Sequence, residues 1–177
     1  QKKNNYALRA DMSREEFVKE LLHGILPPPQ YFPKNAMLNK SNLHGIEKVM
    51  EKGAVPLDVD TFESIANHEG AIVLDVRTTS QFAHEHIPNS IFIGLNGSFA
   101  PWVGALIKDI EQPIILVVPE GKEQETITRL ARVGYDNTLG YLEGGIEAWK
   151  SAGKEIDTIT SVSAAKLTEI HNEKGVN

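Results

Sequence analysis

A parallel α/β sheet with helices on both faces is the fold class this sequence predicts. Residues 71–76 and 114–118 are short apolar runs rich in β-branched side chains with no polar alternation, the pattern of strands buried on both faces. Amphipathic stretches with helical spacing alternate with such runs, and that alternation builds a parallel sheet through helical crossovers. With 41% apolar and 24% charged residues, the composition is that of a globular domain rather than a disordered one.

Taken in order, the first ten residues are polar and expected to fray. Ser13-Arg14-Glu15-Glu16 has the spacing of a capping box. Phe17, Val18, Leu21, Leu22 and Ile25 then place one apolar face on a helix. Pro27, Pro28 and Pro29 stop it, and four of the nine prolines fall within 27–33, predicting a stiff, extended connector. A short helix over 46–52 ends at Gly53, expected as a left-handed cap. Beyond the strands at 71–76 and 114–118, residues 90–93 and 138–142 are further strands. Phe99, Trp102, Val103, Leu106, Ile107 and Ile110 form a helical stripe, with Ser98 as its cap and Pro101 in its first turn. Ile127, Leu130 and Ala131 mark another helix; Ile146 and Trp149 mark the last.

A shift of 105 residues pairs Leu57 with Val162, Asp58 with Ser163, Phe62 with Leu167, Ile65 with Ile170, Asn67 with Asn172 and Gly70 with Gly175. The favoured reading is an interrupted second copy of a cap–helix–glycine unit; the alternative is a plain C-terminal helix on one domain. A helix over 163–174 without its sheet could pack on a neighbouring molecule, so homo-oligomerisation is one expectation.

Composition also excludes. The chain has no cysteine, which removes disulfides, thiolate metal sites and thiol nucleophiles together. A net charge of −6 gives no reason to expect nucleic acid or an anionic membrane as partner. The longest apolar run, 114–118, is far too short to span a bilayer, and no secretory signal opens the chain. These features fit the cytoplasm. A chain opening on Gln1 is expected to belong to a longer protein.

Leu74-Asp75-Val76-Arg77, His86-Ile87-Pro88-Asn89-Ser90 and Leu142-Glu143-Gly144-Gly145-Ile146-Glu147-Ala148-Trp149 together resemble a rhodanese homology domain, in that family's order and spacing, over about 55–156. The resemblance implies a five-stranded parallel sheet. The flanking Pro28-Pro29-Gln30-Tyr31-Phe32-Pro33-Lys34-Asn35 resembles the tail of a metallo-β-lactamase-fold persulfide dioxygenase, some bacterial members of which carry rhodanese domains. Residues 98–104 and 129–135 are similar to the first rhodanese domain of such fusions. The implied organisation is 1–54 as the tail of an upstream metallo-β-lactamase-like domain, 55–158 as the rhodanese-like domain, and 159–177 as the start of a second one. The implied partners are those upstream and downstream domains. Iron or zinc is expected only in the upstream domain, since the His-x-His-x-Asp-His run is missing here.

In active members a cysteine follows the fourth strand and opens a helix. Anchored on Gly121, that position is Val118; a one-residue slip makes it Pro119. The loop Val118, Pro119, Glu120, Gly121, Lys122, Glu123 and Gln124 therefore reads as a vestigial active-site loop. Glu120, Glu123 and Glu125 against Lys122 would fill and repel an anion site, since acidic groups themselves suit a helix N-terminus. No catalytic residue is expected. Asp75, Arg77, His86, Pro88, Gly144, Gly145 and Trp149 are expected to be structural, Asp75 and Arg77 as a pair holding the strand end rather than an acid and an anion clamp. His84-Glu85-His86 lacks a third ligand at metal spacing. Trp102 and Trp149 are expected as core anchors. A protein-binding module is the second functional reading and an active thiosulfate or persulfide sulfurtransferase the third.

Overall fold

The computed structural model of the chain describes residues 12–24, 31–38 and 45–168. Its elements in chain order are α1 (Arg14–Leu22), α2 (Tyr31–Leu38), α3 (Ile46–Gly53), β1 (Pro56–Leu57), α4 (Val59–His68), β2 (Ile72–Asp75), α5 (Thr79–His84), β3 (Ile91–Phe92), α6 (Phe99–Leu106), β4 (Ile114–Val117), α7 (Glu123–Ala131), β5 (Thr138–Leu142) and α8 (Gly145–Ser151). The five strands form one sheet in the order β1-β5-β4-β2-β3, every pair parallel.

Central β4 shows why both faces are covered. Ile114 and Leu116 join one core with Val49, Phe99, Val103, Ile127 and Leu130, beneath α3, α6 and α7. Ile115 and Val117 point the other way, into a second core with Phe62, Ile146 and Trp149 from α4 and α8. All four β4 residues have no exposed surface, so apolar side chains are required on both faces, as in buried parallel strands generally.

The capping box at Ser13 is present: Glu16 N–H donates to Ser13 Oγ (3.2 Å) and Ser13 N–H to Glu16 Oε2 (2.9 Å). Its helix leaves Val18, Leu21 and Leu22 exposed. The predicted extended connector is corrected at its end, because residues 31–33 open α2. Pro33 stands in the first turn, where its missing N–H removes no intrahelical bond. The fraying of 1–10, Ile25, the proline stop at 27–29 and the repeat pairs at 170, 172 and 175 lie outside the described residues.

Gly53 is not a left-handed cap. It ends α3 in helical conformation, with Ala54 as the cap. A Cβ at Gly53 would come 3.1 Å from Ile127 and 3.2 Å from Thr138, so glycine lets α3 lie close on α7 and β5. Ser98 precedes α6 without a side-chain capping bond, and α6 ends at Leu106, before Ile107 and Ile110. Both isoleucines are nevertheless buried. Tyr135, itself buried, donates its hydroxyl proton to the Ile107 carbonyl.

Candidate functional site

The carboxyl ends of parallel strands are where an α/β sheet places its ligands, and here they carry the sequence motifs. Backbone bonds weld these ends beyond the strands: Val76 N–H donates to Val117 O (3.0 Å), Ile93 N–H to Asp75 O (3.0 Å) and Leu95 N–H to Val76 O (3.0 Å).

Asp75 closes β2 with no exposed surface, and Arg77, 6% exposed, folds back onto it. Arg77 Nη2 donates to Asp75 Oδ2 at 2.7 Å, Nε to both carboxylate oxygens at 3.0 Å, and the Arg77 N–H to Oδ1 at 3.0 Å. The same Nη2 donates to the Glu85 carbonyl at 2.7 Å. With the carboxylate and guanidinium turned on each other, this geometry has the form of a strand-end clamp. His86 is buried, stacks on Phe82 with ring centroids 4.0 Å apart, and places Nδ1 2.9 Å from the Phe82 carbonyl. His84 is exposed, and among the described residues no three metal-ligating side chains converge. Pro88 is half-buried, followed by Asn89 at φ 62°. Gly144 and Gly145 both have positive φ, 70° and 58°, making the turn into α8, whose Trp149 is buried and donates Nε1–H to the Glu155 carbonyl at 2.7 Å.

Beyond β4, Val118 continues the inward alternation of Ile114 and Leu116 and is buried with them. Pro119 is half-buried, has no N–H, and accepts from Lys122 N–H at 3.0 Å. Glu120, Gly121, Lys122 and Gln124 are exposed and Glu123 is half-buried. Gly121, at φ 77°, donates its N–H to Glu123 Oε1 at 3.1 Å. Lys122 Nζ sits 2.9 Å from Glu125, whose carboxyl that hydrogen bond holds below its ordinary value. The loop's own acids and carbonyls thus take up donors that a catalytic loop would aim at an anion.

Two features went unforeseen. Trp102 is not a core anchor: it is 58% exposed and Leu106 49%. The stripe was wide enough for two faces, and only the flank of Phe99 and Val103 meets the sheet. Trp102 and Leu106 instead border a groove of about 340 Å³ with Phe92, Ile93, Asn96 and Ser98. The second is the Glu85–Lys150 ion pair, 2.8 Å long and 65 residues apart in sequence, beyond the reach of any local pattern. The hydrogen bond from Lys150 holds the Glu85 carboxyl below its ordinary value, and the same bond raises Lys150.

A lowered carboxyl pKa adds stability above the ordinary carboxylate value, and that stability is lost as pH falls through the folded-state value. The raised lysine keeps its contribution until pH climbs through its own folded value. Lys150→Met is therefore expected to move the Glu85 titration upward and the acid-unfolding midpoint to higher pH. Carboxyl NMR across a pH series checks both.

Against known proteins, the model of the family described as "Rhodanese-like domain" matches residues 58–152. A thiosulfate sulfurtransferase GlpE of Actinobacillus succinogenes is 30% identical over 95 residues, covering 53% of this chain and 82% of that protein. Among solved structures, the Alr3790 protein from Anabaena superposes with a TM-score of 0.52 at 19% identity, covering 67% of this chain and 94% of that one. A metallo-beta-lactamase from Staphylococcus aureus superposes with a TM-score of 0.60 at 20% identity, covering 80% of this chain but only 38% of that one. The last match shares fold alone, yet extends beyond the span of the family model.

Proposed function

This chain belongs to the rhodanese-like domain family, and on that premise we propose that it is a non-catalytic member serving as a packing unit within a larger protein of sulfur metabolism. The observation that carries the reading is the site itself: the chain has no cysteine, and Val118, where the family resemblance puts the nucleophile, is buried in the core. Without a thiolate there is no group to hold a persulfide.

The organisation we favour keeps 1–54 as the tail of an upstream metallo-β-lactamase-like domain, 55–158 as the rhodanese-like unit and 159–177 as the start of a second one, in a bacterial cytoplasm. The S. aureus likeness and the repeat support it. Asp58 caps α4 by accepting from Thr61 N–H (2.9 Å), and Ser163 accepts from Lys166 N–H (3.2 Å), the same step 105 residues on. Yet Phe62 has no exposed surface whereas its counterpart Leu167 is 59% exposed, as expected of a helix still lacking its sheet. Between the units the chain is strapped down: His86 and Asp157 exchange backbone bonds (2.9 and 2.8 Å), and Ile159 N–H donates to Ala83 O (2.8 Å). That strap would set the direction in which the next unit leaves. Any iron or zinc would belong to the upstream domain.

The test is sulfur transfer from thiosulfate to cyanide: the unaltered chain is expected to show none above the uncatalysed reaction, and turnover would overturn the reading. Because no other thiol is present, single cysteines report the site cleanly. Val118→Cys is expected to react with a thiol-specific reagent at least about tenfold more slowly than Pro119→Cys, since burial protects a thiol and keeps it protonated.

A further inference from the structure

We propose that Asn96-Gly97 is a spontaneous modification site, where the asparagine converts through a cyclic imide into an aspartate or isoaspartate at the lip of the Trp102 groove. It is the one Asn-Gly step in the chain. Three observations locate the reactivity. First, Asn96, Gly97 and Ser98 are consecutive exposed residues in the bend between β3 and α6. Second, among the described residues no hydrogen bond engages the Asn96 side chain or the Gly97 N–H. Third, Gly97 is at φ 120°, a conformation that only glycine adopts readily, and the space where a Cβ would stand is empty. Open space therefore lies over the Gly97 α-carbon, next to the attacking nitrogen.

The chemistry balances without a cofactor or an oxidant. The Gly97 nitrogen loses its proton to solvent and attacks Asn96 Cγ; the new C–N bond forms as the C–NH2 bond breaks, and ammonia leaves with a proton. Water then opens either imide carbonyl. One opening gives aspartate, and the other gives isoaspartate, with the main chain rerouted through the side-chain carbon. Net change is water in and ammonia out. The site also sits just ahead of α6, whose N-terminal end favours negative charge.

Asn137, by contrast, is tied: it donates Nδ2–H to the Glu111 carbonyl at 2.7 Å, and its Oδ1 accepts from Lys52. Conversion at Asn96 would place a carboxylate beside a groove whose lining, from Thr79 to Leu106, has no charged side chain. The neighbouring Leu95 is fixed at both polar atoms, its N–H on Val76 O and its carbonyl under Arg129 Nη1 (2.7 Å). The rerouted backbone is therefore confined to the bend rather than spread into the sheet.

The experiment incubates the whole chain at 37 °C and mildly alkaline pH, folded and in guanidinium, followed by digestion and mass mapping with isoaspartate detection at residue 96. Exposed bends open locally at almost no free-energy cost, so conversion in the folded chain is expected within about tenfold of the denatured rate, rising with pH and ahead of Asn137. Folded Asn96→Gln is expected to stay unmodified at residue 96 on the same timescale. A folded rate more than about tenfold below the denatured one, or no faster than that of Asn137, overturns the proposal.

Discussion

Replacing Arg77 with alanine is expected to lower the free energy of unfolding by about 3–5 kcal/mol, because it leaves a buried carboxylate without its counter-ion. Asp75 has no exposed surface and takes its side-chain donors from Arg77. The loss also frees the Glu85 carbonyl, which the same guanidinium holds. Denaturant titration reads the effect as a shift in midpoint. Removing both partners, as Asp75→Leu with Arg77→Met, should recover much of it, since the penalty comes from stranding one charge rather than from losing an attraction. If Arg77→Ala changed stability by less than 1 kcal/mol, the clamp would be no more than an exposed ion pair in its energetics.

Gly140→Ala is the second large effect expected. Gly140 is at φ 149°, and an added Cβ would stand 2.6 Å from the Val55 carbonyl oxygen and 2.8 Å from Leu57. The backbone conformation and the overpacking each cost about 1–3 kcal/mol, so a loss of roughly 2–6 kcal/mol follows. The damage has an address. Tyr141 N–H donates to Val55 O and Glu143 N–H to Leu57 O, the bonds that attach β1 to the sheet. Those two amides are expected to lose hydrogen-exchange protection before the amides of β4 do.

This glycine also shows where the sequence was legible and where it was not. Strands β2 and β4 announce themselves through β-branched runs, and β5 occupies its expected span of 138–142 without one. The irregular register between Ile114 and Ile115, which skips Leu139 on the β5 side, leaves no such signature. Nor does β1, since two residues hold no period, and only the family resemblance called for a fifth strand. Gly53 misled for a related reason: a glycine after a helix signals a cap, and close packing onto Thr138 is decided 85 residues away. The α6 stripe fixed a helix but not which flank faced inward, and so misplaced Trp102. By contrast, the acidic loop could be read directly, because Glu123 and Gly121 interact two residues apart.

The sheet order carries a consequence for how the chain reaches this state. Pro56 pairs with Tyr141 and Leu57 with Leu142, so the first strand of the domain is held by the last. Strands β2 and β4 are closer neighbours in sequence, joining Ile72 to Ile114. Closing a longer loop costs more entropy before any contact repays it, and distant pairings slow folding. The β2–β3 and β4–β5 pairs, joining Leu74 to Ile91 and Ile114 to Thr138, are closer still and should therefore form first, with β1 docking only after β5 is in place. On a nascent chain this means that the domain stays an open half-sheet until its last strand has left the ribosome.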